Sequence, residues 1–521
     1  MNSNDPSSEF ESISNNHHLS SLPSSSITEM QGIKKVLTTQ SINPNILKTS
    51  YAVRGKVVIR ANQIEHELKT NPSAFAFQDI VYCNIGNPQQ LKQKPLTFHR
   101  NVLSLLTASH WLEDSSKKEL LSQMVNRDVL ERAERILSNI DSKSTGAYTH
   151  SQGYEFVRED VAAFIEQRDG LKKGTIHSDR IFLTDGASPG VQLCLKTLIR
   201  NDHDGIMIPI PQYPLYSATI DLCGGSQVPY YLEEESGWGL TMPELERAYE
   251  EATKKGQNVR ALVIINPGNP TGQVLERSHM EQVIQFCLKK GVVLLADEVY
   301  QENNYTNGKK PFYSFNKIAY EMGVEKQLEM ISFHSVSKGF TGECGRRGGY
   351  FQLGEAVDPA VKEELYKISS VNLCPNADGQ IMVDLMVRPP APGEASYEEY
   401  IKERDAILNS LKRRAEKLVK MLNSLEGVSC QPVEGAMYAF PQITLPEKAI
   451  QKAKELGMAP DLMYVLELLE QTGICVVPGS GFQQKPGTHH FRTTILPSEE
   501  QIEGVVDRMA KFHAKFMNQY K

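Results

Sequence analysis

Five short runs of apolar and β-branched residues, at 180–184, 205–210, 261–265, 292–296 and 330–334, recur through the middle of the chain, with helical stretches such as 189–200 and 278–290 between several of them. A run that is apolar at consecutive positions has no face to give to water, so it must be buried on both sides. Such runs alternating with helices describe a mostly parallel sheet covered on both faces. The expected fold class is therefore α/β, with a mostly parallel central sheet flanked by helices. From about Tyr397, after a Pro-rich join at 389–392, the pattern changes to long amphipathic helices such as 398–425, broken by short strands. This predicts a second, smaller α+β domain. A length of 521 residues agrees with two or three domains at roughly 150 residues each. The division read from these shifts is a disordered Ser/Asn-rich tail over 1–45, a segment over 46–119 contributing to the small domain, a large domain over 120–390 that carries the strand-end site and a C-terminal small domain over 391–521.

Charge and composition remove several function classes. Lys and Arg number 56 against 63 for Asp and Glu, a net −7, which opposes a partner that is nucleic acid or anionic lipid, since both demand a basic field. The longest fully apolar runs are five residues, far below the roughly 20 of a membrane-spanning helix. Eight cysteines without a CxxC pair predict neither a disulfide framework nor a zinc site, and no metal is expected. His489 and His490 are adjacent and so point in different directions. Residues 1–30 hold ten Ser and four Asn, with no Lys or Arg before Lys34, and are expected to be disordered. Asp5, Glu9, Glu11 and Glu29, with no Arg before Arg54, make a poor mitochondrial presequence. A cytoplasmic location is expected, with the mitochondrial matrix as the alternative.

In open parallel sheets the ligand lies beyond the carboxyl ends of the strands, so chemistry is sought there. After 180–184 come Asp185-Gly186-Ala187-Ser188-Pro189-Gly190 and a helical run. Small residues admit an anion to the backbone, and the helix start offers N–H groups and a dipole to a phosphate; an ordinary Gly-rich βα turn reads the same way. After 261–265, two prolines and two glycines surround Asn269 in Asn266-Pro267-Gly268-Asn269-Pro270-Thr271-Gly272, a rigid turn that aims an amide into the crevice. After 292–296 come Asp297, Glu298, Val299 and Tyr300. An acid ending an apolar strand is costly unless it meets a cation, although a helix N-cap would also suit it. After 330–334, Lys338 follows Ser335-Val336-Ser337, and Arg346 and Arg347 follow in a Gly-rich bend. Burial lowers a lysine's pKa, and a neutral amine can form a Schiff base; a solvated loop would also carry such residues. Asn269, Asp297, Lys338 and Arg346 stand 28, 41 and 8 residues apart, each beside a strand end where one pocket could receive it.

This constellation resembles the class I/II aminotransferases of the fold-type I, pyridoxal-phosphate-dependent transferases, over about Tyr82 to Leu496. The strings at 266–272, 337–349, 373–376 and 491–493 are most similar to alanine aminotransferases. The resemblance implies pyridoxal 5′-phosphate as cofactor, linked to Lys338 as the catalytic amine, with Asp297 on the pyridine nitrogen, Asn269 and Tyr300 on the ring's 3-hydroxyl oxygen, and Tyr213 stacked on the ring. It implies phosphate contacts from Ala187, Ser188, Ser335 and Arg346. Tyr148 would reach the phosphate of a neighbouring subunit, making a homodimer with shared active sites. Arg492 would clamp the substrate carboxylate, with Asn269 and Gly86 also on the substrate side. The implied reaction is reversible ping-pong transfer of an amino group from L-alanine to 2-oxoglutarate, giving pyruvate and L-glutamate. A glutamate–glyoxylate or another class I aminotransferase is the alternative. A pyridoxal-phosphate lyase and a non-enzymatic aminotransferase-like sensor are more remote; the latter would need a basic DNA-binding domain ahead of this one.

Overall fold

The computed structural model describes residues 36–51 and 55–521. The expectation of disorder over 1–45 lies outside them as far as residue 35; residues 36–45 are described, and hold a turn and the start of the helix Pro44–Lys48. The chain separates into two compact units, Met1–Leu47 and Lys48–Lys521. In the first, the described residues include a turn that Ser41 closes onto Thr38 (3.0 Å).

The second unit is built on a seven-stranded sheet: β1 (Ile181–Thr184), β2 (Asp204–Ile210), β3 (Ser226–Tyr231), β4 (Asn258–Ile265), β5 (Val293–Asp297), β6 (Met330–Ser335) and β7 (Gly349–Leu353). The strands lie in the order β1-β7-β6-β5-β4-β2-β3. All run parallel except β7, which is antiparallel to both β1 and β6. The α/β class and the mostly parallel sheet hold. The consecutive apolar runs are explained by the two cores that the sheet separates. Val263, Leu295 and Phe333 pack with Val191, Leu195 and Tyr216 on one face. Leu262, Ile264, Leu294 and Ala296 pack with Met280, Val283 and Ile284 on the other. Successive residues of a strand alternate sides, so Asp297, two beyond Leu295, and Ser335, two beyond Phe333, come to the first of these faces.

Two strands escape the sequence reading. β3 is half-exposed and carries Pro229, which suits the sheet's edge but breaks an apolar pattern. β7 is masked by the glycines before it. Its reversal matters: its amino end lies among the carboxyl ends of the others, with Gly349 paired to both Thr184 and Ser335.

A further core joins Val57, Ile64 and Val81 to residues from Leu411 to Met517. Leu96–Leu106, which the sequence reading grouped with the same segment, instead share a core with Val129, Val161 and Ile381. Val81–Tyr82 pairs parallel with Ile474–Cys475, and Tyr438–Ala439 pairs antiparallel with Phe491–Thr494.

Candidate active site

At the carboxyl edge of the sheet lies a cavity of about 420 Å³. Gly86, Ala187, Ser188, Tyr213, Asn269, Asp297, Tyr300, Ser335, Lys338 and Arg492 all line it. Tyr148, expected at a neighbouring subunit's phosphate rather than here, is 80% exposed. One residue expected here does not line the cavity: Arg346 stands outside, and Arg347 takes the place expected for it. The physical reason is the turn before β7: Cys344–Arg346 form one turn of 3₁₀ helix, and Arg347 follows at φ +56°. That left-handed step sends the second guanidinium back to Asp185, whose carbonyl accepts from Arg347 Nη2 at 2.7 Å.

The helix Ala187–Leu198 begins directly after β1, with Gly186 before it at φ +86°. A β-carbon at Gly186 would sit 2.4 Å from Arg347 Nη2, and one at Gly349 would sit 2.7 Å from the Gly186 carbonyl carbon. The glycines thus let the helix start, β7 and Arg347 close on one another. The helix's first N–H groups, the Ser188, Ser335 and Ser337 hydroxyls and Arg347 form a group of anion-binding donors.

Asp297 is buried, and its two oxygens differ. Oδ2 accepts from the Tyr216 hydroxyl at 2.8 Å; Oδ1 is buried without a partner. Burial pushes this carboxyl up to about 6, against the pull of the Tyr216 hydrogen bond, the Val299 N–H and the charge of Lys338. A buried acid with one idle oxygen is a site for a cation or a protonated nitrogen. Lys338 Nζ donates to the Gly86 carbonyl at 2.8 Å.

Arg492 is 1% exposed. Its Nη1 donates to Asn269 Oδ1 at 3.1 Å and its Nη2 to the Asn84 carbonyl, while Nε is buried without a partner. The guanidinium lies over two rings, 4.2 Å from the centre of Tyr438 and 4.6 Å from that of Phe482. Tyr300 donates to the Tyr438 hydroxyl at 3.3 Å, and Tyr213 shares a 3.2 Å hydrogen bond with Tyr51. Burial raises the Tyr213 and Tyr300 phenols well above their ordinary value.

Sequence reasoning sets Arg347 beside Arg346 in one bend suited to a phosphate, and misses Tyr216, Tyr438, Cys344 and Tyr51. Tyr216 carried a signal: it lies three residues after Tyr213, one helical turn onward from the expected ring-stacking residue. Tyr438 carried none, being a short apolar strand's tyrosine far from every other motif.

The family described as aminotransferase class I and II matches residues 118–509. The chain belongs to this family. It is 57% identical over 493 residues to the probable mitochondrial alanine aminotransferase of Dictyostelium discoideum, covering 94% of this chain and 91% of that protein. It is 53% identical over 486 residues to alanine aminotransferase 2 of Panicum miliaceum, covering 93% and 99%. Glutamate–glyoxylate aminotransferase 2 of Arabidopsis thaliana is 48% identical over 488 residues, covering 93% and 98%. Among solved structures, the alanine aminotransferase from Pyrococcus furiosus superposes with a TM-score of 0.68 at 23% identity, covering 91% of this chain and 99% of that one; at that identity the likeness speaks for the fold. Class I and II aminotransferases generally work with pyridoxal phosphate, and this aminotransferase carries, among its described residues, no helix long and apolar enough to cross a membrane.

Proposed function

We propose that this aminotransferase moves the amino group of L-alanine to 2-oxoglutarate, reversibly, yielding pyruvate and L-glutamate, with pyridoxal 5′-phosphate as cofactor. The observation that carries the reading is the meeting, in one cavity, of Lys338, the idle buried oxygen of Asp297 and the buried Arg492. The cofactor's chemistry fits these residues: a phosphate for the helix start at Ala187 and Ser188 with Ser335 and Arg347, a pyridine nitrogen for Asp297, a ring oxygen for Asn269 and Tyr300, a ring face for Tyr213 and an aldehyde for Lys338. Bound there, it supplies an electron sink that acidifies the α-hydrogen of an amino acid attached to it.

The protein's part is orientation and proton transfer. Asp297 holds a proton on the pyridine nitrogen, because its own burial makes an unpaired carboxylate costly and a paired one favourable. Arg492 receives the substrate's α-carboxylate; a planar fork meets two oxygens together, and its flanking rings keep it from rotating away. Lys338 Nζ takes the α-proton and later returns it. The oxo acid's carboxylate uses the same clamp in the second half of the reaction, so one site serves both substrates in turn.

Arg492→Lys is expected to raise the KM for L-alanine about 100-fold, with a smaller loss in kcat, because an ammonium cannot reproduce the bidentate plane; steady-state kinetics in both directions check this. The activity itself is tested by titrating the loaded enzyme with L-alanine and then with 2-oxoglutarate or glyoxylate. Loss of the cofactor's visible absorbance with alanine, and its return with 2-oxoglutarate in preference to glyoxylate, is the expected result. Preference for glyoxylate would move the chain to the glutamate–glyoxylate enzymes.

The same reading makes the enzyme a homodimer in which Tyr148, exposed in the single chain, reaches the partner's phosphate. The cytoplasm and the mitochondrial matrix are the two locations in play, the second favoured by the mitochondrial names of relatives such as that of Dictyostelium discoideum; cell fractionation separates the two.

A further inference from the structure

Tyr438 lies where the proposed reaction brings its two charged groups together, and nothing in that reading gives it a role. Its position follows from strand geometry. Tyr438 pairs with Thr494, and Thr494 and Arg492 share one face of their strand because side chains alternate with a period of two. Tyr438 and Arg492 are therefore diagonal neighbours across the ladder, which brings the guanidinium to 4.2 Å from the centre of the Tyr438 ring. The hydroxyl end points toward the lysine. A β-carbon built on Gly86 would sit 2.2 Å from the Tyr438 hydroxyl and 3.1 Å from Lys338 Nζ, so both groups crowd the same side of one glycine. Tyr438 is 3% exposed.

We infer that Tyr438 is a positioning residue that sets the carboxylate clamp against the proton-carrying amine: its ring seats Arg492 and its hydroxyl flanks Lys338. The inference rests on the roles proposed above for those two residues. The ring's contribution is a cation–π contact in a buried site, reinforced by Phe482, whose ring centre lies 4.6 Å from the guanidinium. The hydroxyl's contribution is polar. Burial alone would raise the phenol's pKa, but the charges of Lys338 and Arg492, with the hydrogen bond from Tyr300, bring it below the ordinary tyrosine value, and Cys344 opposes them. Tyr213 also feels it. As pH rises and this phenol ionises, its negative charge offsets the attraction of Arg492 for a carboxylate. Substrate capture therefore weakens at alkaline pH.

The ring and the hydroxyl can be removed separately. Wild-type holoenzyme is compared with Tyr438→Phe and Tyr438→Leu by kinetics with L-alanine across pH. A binding measurement is added with 2-methylalanine, which carries the α-carboxylate but has no α-hydrogen to lose. Tyr438→Phe keeps the ring, so the dissociation constant for 2-methylalanine stays within about twofold, while kcat falls about tenfold. In the same variant the alkaline limb of kcat/KM moves to higher pH, since no phenol is left there to ionise. Tyr438→Leu loosens the 2-methylalanine complex about tenfold or more beyond Tyr438→Phe. A Tyr438→Phe enzyme with wild-type kcat and an unmoved alkaline limb overturns the inference, as does a Tyr438→Leu enzyme that binds 2-methylalanine as tightly as Tyr438→Phe. A wild-type protein that fails to transaminate overturns the underlying reading instead, so the two failures are told apart.

Discussion

Lys338→Arg is expected to leave the fold intact and to lower L-alanine:2-oxoglutarate transamination about 10⁴-fold or more, since both the covalent link and the proton carrier are lost. Arginine fills nearly the same length and can still donate to the Gly86 carbonyl, which Lys338 Nζ meets at 2.8 Å. It stays protonated at every working pH, so it neither condenses with an aldehyde nor accepts an α-proton. Pyruvate release from L-alanine measures the loss, and an unchanged melting temperature of the cofactor-free protein shows that the fold survives. Retained turnover would remove Lys338 from the chemistry.

The second large effect is expected at Asp297. Asp297→Asn keeps an acceptor for the Tyr216 hydroxyl and removes the negative charge, and kcat is expected to fall about 10³-fold, the scale of losing one buried electrostatic partner of a reacting group. This substitution also has a signature independent of activity. Without cofactor the Asp297 carboxyl is pushed up to about 6 by burial, against about 4 in an unfolded chain. Between these values the folded protein holds the extra proton, so this group's contribution to stability falls as pH rises. Cofactor-free Asp297→Asn should therefore gain melting temperature relative to wild type between pH 4 and 7. Loading the cofactor should reverse the order above pH 6, because the wild-type carboxylate then has a cationic partner. Parallel melting curves that never diverge with pH would show that Asp297 is not the group titrating there.

The strands at Ile181–Thr184, Asp204–Ile210, Asn258–Ile265, Val293–Asp297 and Met330–Ser335 were legible because burial on both faces leaves runs that are apolar at consecutive positions. β3, with a proline and one wet side, and β7, hidden behind glycines, left no such run. The error at Arg346 has the same root. Counting residues from Lys338 gives a distance along the chain, whereas the 3₁₀ turn and the reversed direction of β7 decide which of two adjacent arginines faces the cavity. Asn269, Asp297 and Lys338 could be read because polar groups at the ends of apolar strands are conspicuous. Tyr438 could not, since a tyrosine in an apolar segment looks like core until its pairing with Thr494 sets it diagonal to Arg492. His490 shows the converse: a residue that attracts notice in sequence stacks on Phe440 and bonds Glu234 and Gln484.

A guanidinium held against the Tyr438 and Phe482 rings, and hydrogen-bonded to Asn269 and the Asn84 carbonyl, has lost its side-chain freedom before any substrate arrives. The ordering entropy of a long arginine is therefore given up in folding rather than at each binding event, which leaves more of the carboxylate's attraction to appear as affinity.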